Sequence, residues 1–284
     1  MEIALITNAG SGGSTDSDEL SVALSAHGAV IQHFGLDDDG LRRARRSQAE
    51  RVVVAGGDGS IGPAAGVAQD LGVPLALIPT GTANDFARSQ TIPIDIPRAS
   101  ALAIEGTNLR YLDLGRLSSG CRFVNAANLG LSSSAAREAA PLKRVLGPLA
   151  YGAGAVRAAS SADPIFCRVT VDGREVFAAK SWQVIMGITG AFGGGSELGS
   201  ADPEDGKLDV AVLPAGSRLG LARRAWGMRR GTICAQPDVI HHQGQEIVLE
   251  LPPGTELNVD GEVILAATPE RATIEHHAFA LVVS

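Results

Sequence analysis

Three glycines and an aspartate follow an apolar stretch early in the chain and form the sharpest chemical feature of the sequence. The run is Gly56, Gly57, Asp58, Gly59 and Ser60, directly after three valines and an alanine. Because glycine lacks a Cβ, the N–H groups of such a loop can close on a phosphate, and a following helix points its positive end there. Phosphate would be repelled by the aspartate, so we expect that residue to order the loop or to reach a metal ion through water. The alternative is an ordinary tight turn between a strand and a helix.

A second polar loop, residues 79–88, follows the next apolar stretch. Gly81, Thr82, Asn84 and Asp85 bring hydroxyl, amide and carboxylate groups together there. The alternative is a helix N-cap, in which Thr82 or Asn84 caps a helix that begins near Asp85. Two such loops, each after a predicted buried strand, together indicate a nucleotide cleft.

A third loop, residues 8–13, follows the first predicted strand and contains Asn8 and Ser11. This loop either binds the outer phosphates of a nucleotide or is a flexible turn. In open α/β sheets ligands bind at the carboxyl ends of the strands. We therefore expect all three loops at one edge of one sheet.

The elements that would position these loops alternate between strand and helix. Strands are predicted at 3–7, 29–34, 51–55 and 73–78, and helices at 18–27, 41–50 and 62–71, the last with Pro63 in its first turn. Buried apolar strands alternating with helices indicate a parallel sheet that is covered on both faces. The first half is therefore predicted to be an α/β nucleotide-binding domain.

After about residue 110 the pattern changes to short strands separated by turns. Strands are predicted at 113–115, 122–125, 165–171, 175–177, 182–187, 208–213, 246–251 and 256–259, and helices at 132–159 and 218–231. Asp172-Gly173 and Asp260-Gly261 are typical of two-residue hairpin turns. We predict an α/β domain at 1–115, completed by a last strand within 270–284 that returns to it, and an antiparallel β-sandwich-like domain at 116–269.

Composition narrows the classes of function. The net charge of −7 argues against a protein that binds the nucleic-acid backbone, although glycine-rich loops can still hold a phosphorylated ligand. The three cysteines lack metal-ligand spacing, and no signal peptide or 18-residue apolar run is visible. We expect a cytoplasmic protein, at most peripheral at the inner membrane surface.

Carboxylates late in the chain could carry further chemistry. Asp202, Glu204 and Asp205 could converge on Mg²⁺, or they could form a solvated acidic turn. Glu262, just after a glycine, could be an exposed general base or simply part of a hairpin tip.

Histidine and arginine clusters complete the set of candidates. The adjacent histidines at 241–242 and 276–277 should point to opposite faces of a strand, which argues against metal binding. Arginines around Trp226 favour either contact with an anionic membrane or an ordinary surface helix.

In their order along the chain, these segments resemble the diacylglycerol kinase, sphingosine kinase and bacterial lipid kinase superfamily, which has an NAD kinase-like fold. Residues 8–12, 56–60 and 81–88 are similar to its Asn-Pro-x-Ser-Gly, Gly-Gly-Asp-Gly-Thr and Gly-Thr-x-Asn-Asp-Phe-Ala-Arg segments. Residues 123–130, 193–195, 201–210 and 259–262 resemble its later segments. These segments occur in the same order as in the family and span nearly the whole chain. Together they are therefore a specific sign of this superfamily.

The resemblance implies a Mg²⁺-dependent kinase that transfers the γ-phosphate of ATP to a hydroxyl of a lipid such as diacylglycerol. Glu262 would be the general base, and Asp85 would belong to a carboxylate–water–Mg²⁺ network. Asp205, with backbone groups near Asp202 and Lys207, would form the metal site. The implied ATP-binding residues are Asn8, Ser11, Gly56, Gly57, Asp58, Gly59, Ser60, Gly81 and Thr82.

The chain departs from the family pattern in places. Ser60 replaces the usual Thr and Ala9 the usual Pro, while Gly62 and Pro63 replace Asn and Glu, which removes a polar anchor from the nucleotide site. Two alternatives stay open: a small-molecule kinase like NAD kinase or phosphofructokinase, which shares the Gly-Gly-Asp-Gly loop, and a non-catalytic homologue that binds nucleotide or lipid, which the Gly62 and Pro63 substitutions support. The acceptor and the oligomeric state are also left open.

Overall fold

The computed structural model describes residues 1–8, 17–130, 163–191, 198–199, 201–217 and 219–284. The chain divides into two compact units, one of Met1–Leu114 with Glu275–Ser284 and one of Gly115–Ile274. The predicted helix at 132–159 and the glycines at 193–195 lie outside the described residues, as do residues 9–13 of the first loop.

The first unit is built on a parallel sheet. Its strand order is β15, β4, β3, β1, β2, and every neighbouring pair is parallel. The strands are β1 Glu2–Thr7, β2 Val30–Gly35, β3 Arg51–Gly56 and β4 Leu75–Pro79, joined by the end of β15 Glu270–Val283. The helices are α1 Ser17–Ser25, α2 Asp38–Ala44, α3 Asp58–Leu71, α4 Asp85–Ser89 and α5 Ile96–Glu105. The predicted parallel sheet and the predicted return of the last strand are confirmed.

The buried strands of this unit explain its core. β4 is buried along its whole length, β1 is buried except at its two ends, and β3 is buried except at its first residue. Side chains from β1, β3 and β4 pack with those of α1 and α5 into one apolar cluster. Aliphatic residues cover both faces of these strands. The loops at the carboxyl ends of the strands therefore follow directly from a closely packed core.

Two helices of this unit differ from the prediction. The helix predicted at 41–50 is α2, which begins earlier because the Asp37 carboxylate accepts a hydrogen bond from Gly40 N at 2.8 Å. This hydrogen bond lowers the pKa of Asp37 from its ordinary value. The helix predicted at 62–71 begins at Asp58, so Pro63 is its sixth residue and does not lie in the first turn. Residues 58–60 therefore form the first turn of α3 and are not part of a free loop.

The second unit is antiparallel. Its strands run in the order β14, β13, β7, β9, β8, β12, β15, with β10 on β9 and β11 and with β6 on β5. Two strands span the division: β5 Asn108–Leu117 has residues 108–114 in the first unit, and β15 has residues 270–274 in the second. The other strands of the second unit are β6 Arg122–Phe123, β7 Ala126–Gly130, β8 Ile165–Val171, β9 Arg174–Gly187, β10 Leu208–Pro214, β11 Ile240–Gly244, β12 Glu246–Glu250, β13 Glu256–Val259 and β14 Glu262–Leu265. A helix, α6 Leu219–Arg229, and a short 3₁₀ helix, Ile233–Ala235, accompany them. The predicted antiparallel β unit is confirmed.

Strand boundaries differ where pairing overrides the local pattern. The strands predicted at 175–177 and 182–187 are one strand, β9, because β8 pairs with the exposed stretch between them. The strand predicted at 122–125 ends at Phe123, since the next N–H groups donate to a side chain, Asp260. Both predicted Asp-Gly hairpins are present, with positive φ at both turn residues (47° and 79° at Asp172-Gly173, 47° and 97° at Asp260-Gly261).

No helix in the described part of the chain is both long and apolar enough to cross a bilayer.

Candidate active site

The loops after β3 and β4 leave the sheet side by side. The two strands are neighbours, and Gly56 at the end of β3 pairs with Pro79 at the end of β4. Beyond this pair, Thr80 N donates to Gly56 O at 3.0 Å. Thr7 at the end of β1 pairs with Ala55, so Asn8 begins the third loop one strand away, whereas Ser11 is outside the described residues. The parallel register therefore brings the candidate loops to one edge of the sheet.

Glycine is required where the two main loops touch. A Cβ on Gly81 would lie 2.5 Å from Gly57 Cα and 2.7 Å from Asn84 Oδ1. A Cβ on Gly57 would in turn lie 3.2 Å from Gly81 Cα. The two backbones thus approach each other too closely for a Cβ on Gly81, and a Cβ on Gly57 would be tight.

Asn84 holds the second loop together and does not cap the following helix through its side chain. The residue occupies the N-cap position of α4 in a left-handed conformation, with φ of 52°, but its amide turns back to Gly81. Its Oδ1 accepts from Gly81 N at 3.0 Å, and its Nδ2 donates to Gly81 O at 2.9 Å. As the alternative expected, the helix begins at Asp85 with Asn84 at its N-cap position, but the Asn84 side chain does not make the capping hydrogen bond.

Asp58 caps α4 across the two loops. Its carboxylate accepts hydrogen bonds from Asp85 N at 3.2 Å and from Phe86 N at 2.9 Å. These N–H groups belong to the first turn of α4. The first N–H groups of a helix have no carbonyl acceptor within the helix itself. Of the two roles expected for Asp58, the structure shows the first: the carboxylate orders the loop. Because α4 has five residues, it depends on this contact more than a long helix would.

The remaining predicted nucleotide residues of this unit differ in exposure. Thr82 is exposed, while Gly57, Gly59 and Asp85 are half-buried. Ser60 is buried, and a Cβ on Gly56 would lie 2.4 Å from its Oγ. Ser60 therefore packs directly beneath the glycine loop, and its neighbour Gly56 has no room for a side chain.

In the second unit Glu262 lies on a firmly anchored turn. It is the first residue of β14, it is exposed, and it follows the Asp260-Gly261 turn. The Asp260 carboxylate accepts from three consecutive N–H groups, at 2.8 Å from Val124, 3.0 Å from Asn125 and 2.9 Å from Ala126. Three such contacts fix the turn, so Asp260 positions Glu262. Sequence reasoning missed this role, although an aspartate in a two-residue turn was its signal.

The pKa of the half-buried Cys121 thiol is affected by burial and by the carboxylates around it, Glu262 among them. Burial, reinforced by the negative charges of Asp260, Glu262 and Glu270, raises the pKa of Cys121 from 9.0 to about 11. A thiol with this pKa is a poor nucleophile near neutral pH. Cys121 is therefore a passive neighbour of the turn and not a reacting group.

The predicted metal residues lie in a turn just before β10. Asp202 Oδ1 accepts from Glu204 N at 3.1 Å, and Asp205 Oδ1 accepts from Lys207 N at 2.9 Å. Asp202 and Lys207 are exposed and Asp205 is half-buried. Burial raises the pKa of Asp205, and the charges of Asp209 and Asp202 act in the same direction against the hydrogen bond from Lys207 N.

The donor set of this turn is consistent with Mg²⁺ but supplies few side chains. In the described part of the chain, the carboxylates of this turn do not form a cluster of three converging ligands. A hard ion such as Mg²⁺ accepts one or two carboxylates together with water and other oxygens. Asp205, as a half-buried carboxylate, fits that requirement as one ligand.

The two histidine pairs differ from each other. His276 and His277 were expected on opposite faces of a strand, and this expectation is wrong. The φ of His277 is 49°, which breaks the alternation of the strand, and the two rings stack with centroids 3.8 Å apart. Together with Asp113 they are the one group of three metal-ligating side chains among the described residues.

A parallel sheet with apposed glycine loops at its carboxyl edge, together with an antiparallel unit and a returning last strand, defines a kinase-like α/β fold. Family comparison agrees with this class. Residues 2–117 match the diacylglycerol kinase catalytic domain, and residues 125–283 match the YegS C-terminal NAD kinase beta sandwich-like domain. The chain belongs to the diacylglycerol kinase and YegS lipid kinase superfamily, as its motifs predicted.

Individual proteins that are similar to this chain are named diacylglycerol kinases. A diacylglycerol kinase of Staphylococcus carnosus (strain TM300) is 29% identical over 225 residues, which are 78% of this chain and 72% of that protein. A diacylglycerol kinase of Staphylococcus aureus (strain bovine RF122 / ET3-1) is 29% identical over 224 residues, 78% of this chain and 70% of that protein. The crystal structure of a diacylglycerol kinase from Bacillus anthracis str. Sterne has the same fold. Its TM-score is 0.79 at 22% identity, covering 100% of this chain and 97% of that one.

Proposed function

We propose that this protein is a lipid kinase that transfers the γ-phosphate of ATP to a hydroxyl of diacylglycerol or a related lipid, with Mg²⁺ bound. The observation that carries the proposal is the close approach of the Gly57 and Gly81 backbones at the carboxyl edge of the parallel sheet. Because neither glycine has a Cβ, no side chain at these two positions would stand between the backbone and a phosphate. Family membership makes phosphoryl transfer the chemistry such a surface would serve.

The nucleotide would be held by the three loops of the first unit. Backbone N–H groups at 57–59, together with the positive end of α3, would bind phosphate oxygens; Ser60 N is not among them, since it donates to Gly57 O at 3.0 Å. Thr82, which is exposed, would supply a hydroxyl, and Asn8 would contribute from the loop after β1. Asp58 would keep its own negative charge away from the phosphates, because its carboxylate is engaged by the first N–H groups of α4.

The transfer step would use Glu262 as its general base. The acceptor oxygen attacks the γ-phosphorus, the bond from that phosphorus to the bridging oxygen breaks, and ADP leaves. The hydroxyl proton passes to the Glu262 carboxylate, which the Asp260 turn holds in a fixed position. Asp205, with backbone oxygens near Asp202 and Lys207, would hold Mg²⁺, which when bound neutralises charge on the phosphates.

The test is a phosphotransfer assay with γ-labelled ATP and a panel of acceptors. The panel contains diacylglycerol, a sphingoid base and phosphatidylglycerol in mixed micelles, and NAD, fructose 6-phosphate and glycerol in solution. Label in the product of diacylglycerol, dependent on Mg²⁺, is the expected result. Label in NAD or in the sugar phosphate alone would show a small-molecule kinase and would overturn the lipid assignment.

A non-catalytic homologue is the second candidate, and one observation favours it. Gly62 and Pro63 replace the family's Asn-Glu inside α3, and Pro63 has no N–H to donate to the Gly59 carbonyl. Thermal unfolding with ATP or ADP separates the candidates, since a ligand stabilises by RT ln(1 + [L]/Kd). A shift in Tm with nucleotide but no labelled product with any acceptor would favour the binding protein. The absence of any shift would count against both.

A further inference from the structure

We propose that Asp113, His276 and His277 form a binding site for a divalent transition-metal ion of the zinc class. Their ligand atoms all lie within 4.8 Å of one another. All three residues belong to the first unit, Asp113 on β5 and the histidines on β15. The site shares no residue with the turn before β10 that is proposed to hold Mg²⁺, and the proposal does not depend on the proposed kinase activity.

A backbone irregularity creates the site. In a regular strand His276 and His277 would point to opposite faces. The φ of 49° at His277 is left-handed, a conformation that few residues other than glycine adopt, although histidine is enriched among them. The irregularity brings the two rings together, with an interplanar angle of 26° and centroids 3.8 Å apart. Two imidazoles from adjacent positions therefore share one side of the strand.

A buried carboxylate holds this arrangement in place. The Asp113 side chain is 0% exposed, and its Oδ1 accepts from His276 Nδ1 at 2.8 Å. The same oxygen accepts from His277 N, also at 2.8 Å, so Asp113 contacts the irregular backbone itself. The His276 side chain is 51% exposed, which leaves solvent a route to the ligands.

The donor set selects the class of ion. Two imidazoles and one carboxylate suit zinc, nickel, cobalt or copper, whereas Mg²⁺ prefers oxygen alone. The ion would take the place of the proton between His276 Nδ1 and Asp113 Oδ1, and that proton would be released to solvent. In a tetrahedral zinc site neighbouring ligand atoms lie about 3.4 Å apart. His276 Nδ1 and Asp113 Oδ1, now 2.8 Å apart, therefore need to separate by about half an ångström. Ligand atoms that lie farther apart, up to 4.8 Å, need to come closer, and water would complete the coordination.

The other histidine pair is a matched control within the same chain. His241 also pairs with a buried carboxylate, with Nε2 2.6 Å from Asp209 Oδ1. The β10–β11 ladder, however, runs regularly through His241 and His242, and neither residue has a positive φ. The regular strand leaves this pair without the third ligand. Comparing the two pairs therefore isolates the effect of the irregularity at His277.

The experiment is a metal titration of the full chain without a polyhistidine tag. Metal-free protein is titrated with Co²⁺ and with Zn²⁺, monitored by visible absorption and by calorimetry. His277→Asn keeps a residue that tolerates the left-handed backbone but removes the imidazole, His276→Gln removes the other ring, and His242→Gln is the control. Thermal unfolding of each variant without metal shows whether it is folded.

We expect one saturable site in the parent protein, with cobalt absorption typical of nitrogen and oxygen ligands. His276→Gln and His277→Asn should each weaken the affinity by about tenfold or more, while His242→Gln should leave it unchanged. The absence of a saturable site in the parent would overturn the proposal. So would equal affinities in the parent and in a folded His277→Asn variant, or a loss of affinity confined to His242→Gln.

Discussion

Replacing Asp58 with Ala tests whether this carboxylate organises the nucleotide loops. The change leaves Asp85 N and Phe86 N without their acceptor at the first turn of α4. Loss of an N-cap costs about 1–2 kcal/mol, and an unsatisfied pair of N–H groups raises this to about 2–3 kcal/mol. Because α4 is short, we expect the loss to appear mainly as local opening of residues 85–90.

Hydrogen exchange measured by mass spectrometry is the appropriate assay, because it reports on local opening directly. A loss of about 2–3 kcal/mol corresponds to about 30- to 150-fold faster exchange in peptides covering α4. Asp95→Ala is the matched control, since the Asp95 carboxylate caps α5 through Arg98 N at 3.1 Å and also pairs with the Arg98 side chain. It should loosen the start of α5 and leave α4 unchanged.

The same variant should bind nucleotide more weakly, because the loop that Asp58 holds would carry the phosphate-binding N–H groups. We expect the shift in Tm with ATP to fall sharply in Asp58→Ala and to persist in Asp95→Ala. Unchanged exchange in α4 would refute the capping argument. Faster exchange with unchanged ATP binding and turnover would keep the cap but remove this loop from the site.

Two further substitutions and one labelling rate test these contacts. Gly81→Ala places a Cβ 2.5 Å from Gly57 Cα and should lower the free energy of unfolding by about 1–3 kcal/mol. The control Gly216→Ala, with no heavy atom within 4 Å of its Cβ, should lower it little. Equal losses in the two variants would contradict the packing argument. Asp260→Asn should lower kcat more than it raises KM, because it loosens the turn that positions Glu262; an unchanged kcat would count against that role. Cys121, with a pKa of about 11, should be alkylated about 100-fold more slowly at pH 8 than a thiol of pKa 9.0, since fewer thiolates form. Its rate should rise about tenfold per pH unit toward pH 11, and a plateau near pH 9 in quantitative mass spectrometry would contradict the burial argument.

Local patterns sufficed to predict the architecture. Consecutive aliphatic residues predict strands buried on both faces, and such strands require a parallel sheet. The two Asp-Gly dipeptides were equally informative, since Val259 pairs with Glu262 across a turn that demands positive φ at two residues. From the parallel sheet alone it followed that the loops after β3 and β4 would meet at one edge.

The contacts that shape the candidate site were beyond the sequence pattern. Asp58 caps a helix whose first residues lie 27 and 28 positions later, and Asp260 binds N–H groups 134 to 136 positions earlier. Neither contact produces a periodic pattern of residues in the sequence. The irregularity at His277 was missed for a related reason, because its contact with Asp113 comes from a strand 164 positions away.

The most direct test of the central claim compares phosphotransfer to diacylglycerol by the parent protein and by Glu262→Gln. Glu256→Gln, on the other strand of the same hairpin, is the matched control. We expect Mg²⁺-dependent formation of the phosphorylated lipid by the parent and the control. In Glu262→Gln we expect about a 10²- to 10⁴-fold loss of kcat, with the ATP-induced shift in Tm retained. Turnover by Glu262→Gln near the parent rate would contradict the base assignment, and no labelled lipid from the parent protein would contradict the proposed function itself.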